Sequence, residues 1–264
     1  MDLQLEGKRA LVTGSTAGIG FAIAKGLAKE GASVIVNGRS TKRVDEALTA
    51  LNKAGVLGNL EGLAADLGTA DGTRATMERF PEVDILVNNL GIFETKPFES
   101  ITDADWLHIF EVNILSGVRL SRHYLPGMRR RNWGRIVFIS SESGVQIPTE
   151  MIHYGMTKTA QLAIARGLAE TTAGTNVTVN SVLPGPTASE GANNFVEKLA
   201  RDQKTTRQEV EKQFFENMRP TSLLKRMAEP DEVANLVTFV CSPLSSATNG
   251  AALRVDGGVV RSIL

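Results

Sequence analysis

Apolar residues gather along the chain in short runs, at 10–12, 34–36, 85–87, 136–139, 177–182 and 251–255. The runs do not alternate apolar with polar positions, as a strand with one wet face does, so each predicts a strand covered on both faces. Strands of that kind belong to a parallel sheet. Between them the period becomes helical, at 19–29 before Gly31, over an unusually long stretch at 102–128, and at 151–171. Strand and helix alternate from residue 10 to residue 182, the βαβ order of a doubly wound α/β sheet with helices on both faces.

No linker, repeat or low-complexity tract interrupts this order, so residues 1–264 predict one domain. One interval departs from the spacing. After residue 184 no strand pattern returns for more than forty residues, while 195–199 and 210–218 carry helical periodicity. That predicts a helical substrate flap inserted at 187–228, with Asn194, Phe195, Phe214, Phe215 and Met218 as candidate lining residues.

Composition works by exclusion. The 29 basic and 29 acidic side chains cancel, so no global field favours nucleic acid or an anionic membrane as partner. No apolar run approaches the ~18 residues of a bilayer span. The first residues resemble neither a secretion signal nor a transit peptide, and the expected location is cytoplasmic. A single cysteine, Cys241, has no internal partner and is expected to fill space in a reducing compartment. His108, His123 and His153 lack metal-ligand spacing, so no metal is expected. Arg129, Arg130 and Arg131 are expected to favour the C-terminal end of the long helix and stay solvated; Trp106 and Trp133 are expected to pack at its ends without stacking.

Directly after the first predicted strand stands Thr13-Gly14-Ser15-Thr16-Ala17-Gly18-Ile19-Gly20, opening a helix. Glycines there let the backbone approach a pyrophosphate, which the helix N-terminus attracts. After the second strand an NAD site would place a carboxylate on the adenosine ribose. This chain has Asn37-Gly38-Arg39-Ser40, with no acid and a guanidinium suited to a 2′-phosphate. NADP(H) is therefore favoured, with NAD(H) left open, since an Arg at a strand end is also commonly just solvated.

With these stretches in view, the chain resembles the short-chain dehydrogenase/reductase family, and its ketoacyl reductases in overall pattern. The resemblance rests on Thr13 to Gly20; Asp66-Leu67; Asn88-Asn89-Leu90-Gly91; Asn113; Ser141; Tyr154 with Lys158; Pro184-Gly185; and Asp256-Gly257-Gly258, in that order along nearly the whole chain. It implies one Rossmann-type domain of about seven parallel strands, using a nicotinamide cofactor without metal. It implies that Asp66 and Asn88 lie near the adenine and its ribose, and it adds Leu67, Leu90, Gly91, Pro184 and Gly185 to the candidate cofactor contacts. Leu90 stands where the family commonly has alanine. Thr187 and Ser189 both follow the Pro-Gly pair, and either hydroxyl could bind the cofactor.

Hydride transfer to a carbonyl leaves an alkoxide that needs a proton, and the reverse needs a base. Tyr154 and Lys158 are four apart on a predicted helix and share a face. Bringing a phenol from ~10 to about 7 requires roughly 4 kcal/mol, which an ammonium at ~4 Å supplies at an effective dielectric of ~20. Lys158 would also hold the nicotinamide ribose. Ser141, at the end of a strand, would donate to the substrate oxygen as charge accumulates, and the family's spacing selects it over Ser140. The resemblance gives Asn113 the role of holding, through its backbone, a water that links Lys158 to solvent. The substrate is then a small or medium carbonyl compound or alcohol; an NAD-dependent polyol or sugar dehydrogenase and a non-catalytic cofactor-binding sensor are the alternatives. The family further implies a homotetramer or homodimer built on the helices at 102–128 and 151–171, and the run Leu162, Ile164, Ala165, Leu168 suits either that interface or internal core.

Overall fold

Seven strands form one parallel sheet in the order β3-β2-β1-β4-β5-β6-β7. They are β1 (Arg9–Val12), β2 (Ser33–Gly38), β3 (Leu60–Ala64), β4 (Ile85–Asn88), β5 (Gly134–Ile139), β6 (Val177–Pro184) and β7 (Ala252–Val255). The computed structural model describes residues 2–263, with Phe195 described in its backbone alone. Successive side chains of the central strands leave on opposite faces, and both faces are covered. Ala10, Val12, Val34, Val36, Ile85 and Val87 enter a core under α1 (Gly18–Lys29), α2 (Thr41–Lys53) and α9 (Pro230–Val240). Leu11, Ile35, Leu86, Ile136 and Phe138 enter a second core with α3 (Ala70–Arg79), α5 (Ser116–Arg130) and α6 (Ile152–Glu170). This two-sided burial is why the runs lack polar alternation.

The two edges depart from that rule. β3 carries Glu61 and Gly62 among its leucines and forms no apolar run; as an edge strand it pairs with β2 alone, and Gly62 lies under Val44 and Leu48 of α2. β7, predicted as covered on both faces, alternates exposed and half-buried residues. The long helix also differs. It begins at α4 (Asp103–Phe110), capped by a Thr102–Asp105 box, and passes through a π turn at Glu111–Leu115 before continuing as α5. Such wide turns recur at functional sites, and this one contains Asn113.

Between β6 and α9 the chain forms α7 (Glu190–Asp202), α8 (Arg207–Gln213) and a second π turn, Phe214–Met218. Val196, Ala200 and Val210 make a small core of their own there. Ala165, Ile164 and Leu168 of the apolar run on α6 pack into the second main core. Cys241 is buried, and that burial pushes its thiol up to about 12. One surface expectation holds and one fails. Arg131 stays exposed, like Arg129 and Arg130, at the C-terminal end of α5, where it pairs with Glu82 and Asp84 and donates to Val83 O. Trp133 does stack, with Lys8 Nζ at 4.0 Å and the Arg135 guanidinium at 4.8 Å from its ring centroid.

Candidate active site

The sheet order reverses between β1 and β4, and a crevice opens beyond the C-terminal ends of strands at such a point. The loops after these two strands are knotted together there. Thr13 Oγ1 accepts from Asn89 N at 2.9 Å and Leu90 N at 2.8 Å, while Asn89 Nδ2 donates to Thr13 O and Gly14 O. Asn37, buried at the end of β2, accepts from Gly14 N at 3.0 Å and donates to Leu63 O and Ala65 O. Gly14 (φ 61°) and Gly18 (φ 56°) adopt the left-handed backbone that this loop requires. No side chain caps α1, and its first turn holds no acid, so its amide groups remain available to an anion. On the other side of the crevice, a Cβ on Gly91 would stand 3.5 Å from both Asn113 Oδ1 and Lys158 Nζ. An uncapped helix end and a glycine-lined approach to a lysine fit a dinucleotide.

The expected cofactor residues divide by position. Ile19, Gly91, Pro184, Gly185, Thr187 and Ser189 line one cavity of about 460 Å³ together with Ser141, Tyr154 and Lys158. Arg39, Ser40 and Asp66 are exposed beyond β2 and β3; Ser40 caps α2 and Asp66 accepts from Gly68 N. Others face inward. Ser15 is wholly buried, bonded to Val12 O and Asn37 N. Leu67 belongs to the second core, and Asn88 donates to Ser121 Oγ of α5, so neither side chain reaches the crevice. Thr16 and Gly20 complete the loop, where a Cβ on Gly20 would meet Asn89 Nδ2 and Gly14 O at 2.4 Å. Of the two open hydroxyl candidates, Thr187 donates to Gly185 O and Ser189 caps α7, packed against Gly18.

At the reacting end, Ser140 Oγ donates to Lys158 O, which ties β5 to α6 and leaves Ser141 beside Tyr154 on the cavity wall. Thr157 Oγ1 donates to Tyr154 O and accepts from Asn113 Nδ2, so the π turn and α6 are locked to each other. Lys158 Nζ lies 5.5 Å from the Tyr154 ring centroid and donates to Ile139 O at 2.9 Å and Gln161 Oε1 at 3.3 Å. One ammonium does not lower the phenol of the chain by itself. Burial pushes Tyr154 up to about 12, against a smaller opposing effect of the Ser141 hydroxyl, and burial pushes Lys158 down to about 7. Desolvation of both side chains opposes the attraction between ammonium and phenolate, a cost absent from the expectation that the ammonium suffices.

Four residues here escaped the sequence reading. Gln161, buried on α6, accepts from Lys158 and donates to Asn113 O at 2.8 Å, so a side chain spans the two positions assigned a water link. Its signal was a Gln on the inward face of a helix, one turn after the lysine. Asn89 was visible only as a motif letter. Glu142 and Arg219 form a buried ion pair on the cavity wall, and no sequence rule joins positions so far apart. The flap candidates also divide: Phe214 and Met218 line the cavity, whereas Asn194 and Phe215 face elsewhere and the Phe195 side chain lies outside the described residues. Of the histidines, His153 packs edge-on against Trp106, and no metal-binding cluster occurs among the described residues. No helix among them is long and apolar enough to cross a membrane.

Comparison with known proteins agrees with this geometry. Residues 8–200 match a family described as short chain dehydrogenase. The chain is 52% identical over 263 residues to the uncharacterized oxidoreductase YvaG of Bacillus subtilis, with 100% of both chains covered. It is 35% identical over 264 residues to the 3-oxoacyl-(acyl-carrier-protein) reductase FabG of Aquifex aeolicus, covering 98% of this chain and 100% of that one. Among solved structures, L-sorbose reductase from Gluconobacter frateurii, complexed with NADPH and L-sorbose, matches with a TM-score of 0.93 at 32% identity over 100% of both chains.

Proposed function

The chain belongs to the short-chain dehydrogenase family of oxidoreductases, and from that premise we propose that it transfers hydride between NADP(H) and a carbonyl or secondary alcohol, with Tyr154 as acid and base. The observation that carries this reading is the convergence of Ser141, Tyr154 and Lys158 on one cavity at the switch point of the sheet. The cofactor would supply the hydride; the uncapped end of α1 and the Gly14–Gly18 loop would hold its pyrophosphate, and Lys158 its nicotinamide ribose. Ser141 donates to the substrate oxygen as negative charge grows there, which stabilises the transition state more than the bound ground state. Tyr154 gives that oxygen its proton, or takes one in the oxidative direction. Lys158 favours the phenolate, and the positive charge of an oxidised nicotinamide adds to it.

The preference for the phosphorylated cofactor rests on Arg39, exposed beyond β2 with no ion pair among the described residues, and on the absence of an acid there. The NADPH in the sorbose reductase supports it. A second reading, a polyol or sugar dehydrogenase using NAD, draws on the polar groups Glu150, Gln203 and Asn217 of the cavity and on the sorbose held by that relative. Val196, Leu199, Val210 and Met227 on the flap side favour a substrate with an apolar body. We take residues 1–264 as one catalytic domain with 187–228 as its substrate flap, in the cytoplasm, assembled as a dimer or tetramer. Leu107 and Phe110 of α4, 70% and 39% exposed, suit such an interface.

The test is a panel of ketones, ketoacyl thioesters, sugars and steroids with NADPH and NADH. Turnover of apolar ketones or thioesters with NADPH is expected. Faster turnover of sugars with NADH would favour the second reading, and saturable NADPH binding without any turnover would point to a sensor.

A further inference from the structure

Glu142 follows Ser141 directly and is almost wholly buried, so any charge it carries stands beside the reacting end. Its partner arrives from the flap segment. Arg219, just after the Phe214–Met218 turn, donates from Nε to Glu142 Oε1 at 2.8 Å and from Nη1 to Glu150 Oε1 at 3.3 Å and Met218 O at 2.9 Å. The paired side chains keep only 7% and 4% of their surface. Glu142 Oε2 accepts from Ser143 Oγ, and the guanidinium lies 5.6 Å from the centroid of the Phe214 ring.

A buried ion pair is a poor way to hold a flap in place. Desolvation offsets most of the attraction, and packed apolar residues of the same volume often do better. What apolar residues cannot do is set the field at Tyr154. The charged and titratable groups around that phenol are Lys158 on its own helix, Glu150 just before that helix, Glu142 after β5, and Arg219 from the flap, with Asp256 after β7 acting on Glu142. Phe93, edge-on at 6.2 Å, is uncharged, and His153 is turned onto Trp106. Within this set Glu142 opposes a negative phenol oxygen and Arg219 favours one.

We propose that Arg219 is a positioning residue for the proton step: reaching in from the flap, it pairs with Glu142 and cancels the opposition of that carboxylate to a phenolate at Tyr154. The inference rests on the reading of Tyr154 as acid and base. It makes seating of the flap and readiness of the phenol one event, because a displaced flap leaves Glu142 unpaired.

The chain has two tyrosines, which permits a test without a known substrate. In a Tyr124→Phe background, protein labelled with 13Cζ-tyrosine and saturated with NADP+ reports the titration of Tyr154 alone. Arg219→Gln should raise its midpoint, and Glu142→Gln should lower it, each by about one pH unit, the effect of one charge at ~10 Å and an effective dielectric of ~20. The double variant should return to within about 0.3 units of the parent, and Arg219→Lys should stay near it. Single variants that shift the midpoint in the same direction, or leave it unmoved, overturn the inference. If Arg219→Gln does not fold, Glu142→Gln and Arg219→Lys carry the same test. A Tyr154→Phe enzyme that keeps its turnover would defeat the underlying reading whatever the titrations show. An inactive Tyr154→Phe with unmoved midpoints defeats this inference alone.

Discussion

Replacing Gln161 with leucine removes the side-chain acceptor of a buried ammonium while keeping the volume of the site nearly unchanged. Lys158 has burial pushing it down to about 7, and its acceptors are Ile139 O at 2.9 Å and Gln161 Oε1 at 3.3 Å. A hydrogen bond to a charged group contributes about 1.5 to 3 kcal/mol, and the length of this one argues for the lower end, about one pKa unit. The sign follows from which form is stabilised. Gln161 favours the ammonium, so Gln161→Leu lowers Lys158 further, toward about 6, and at pH 7 the charged fraction falls from about half to about a tenth. If the ammonium supports Tyr154, kcat/KM at pH 7 drops roughly fivefold, and the loss vanishes near pH 5, where both enzymes are protonated. Gln161→Glu must act in the opposite direction, since a carboxylate favours the ammonium. The assay is kcat/KM against pH from 5 to 9 for both variants, with thermal unfolding as a check, because Asn113 O also loses its donor. Identical pH profiles, or two variants shifted to the same side, would refute the reasoning.

Tyr154→Phe should abolish nearly all turnover while cofactor affinity, measured by fluorescence titration, stays within about twofold; retained activity would remove the proton-transfer role. Lys158→Met should also be inactive, yet it should not lower stability at pH 7. The unfolded state binds more protons than the folded state between about 7 and the ordinary lysine value near ~10.4, so wild-type stability rises with pH across that window and the variant's curve should be flatter. An equally steep curve would show that Lys158 does not titrate there. Arg39→Ala should weaken NADPH with little effect on NADH, and parallel losses for both would defeat the 2′-phosphate argument. Gly20→Ala offers a sharper contrast. Helix propensity alone predicts a gain of about 1 kcal/mol, but the new Cβ would meet Gly14 O at 2.4 Å, and backbone cannot give way cheaply. Denaturant unfolding should therefore show a net loss, accompanied by weaker cofactor binding.

Much of this protein was legible in the order of its residues. Most strands buried on both faces read as short apolar runs, and the glycine loop reads as such because close approach of backbone leaves few other residues possible. Only the edge strands misled. Leu60–Ala64 lacks a run and Ala252–Val255 has one, because an edge is covered by its neighbours unevenly, and the identity of the edge strands is a property of the sheet. Motif letters also carried no direction. Asn88 and Leu67 stand in the expected stretches yet turn into the protein, since direction is set by the pleat of a strand and the helix behind it.

The sequence by itself determined that Tyr154 and Lys158 share one face, because they lie four apart on one helix; the proposed chemistry drew on that pair together with the glycine loop and the family's motifs. The protonation states were decided only by the tertiary structure. Burial, which shifts Tyr154 upward and Lys158 downward, depends on everything packed around them. The same holds for Gln161 against Asn113 and for Arg219 against Glu142: these contacts bring together elements remote in the chain, and a local pattern cannot encode where two distant segments meet.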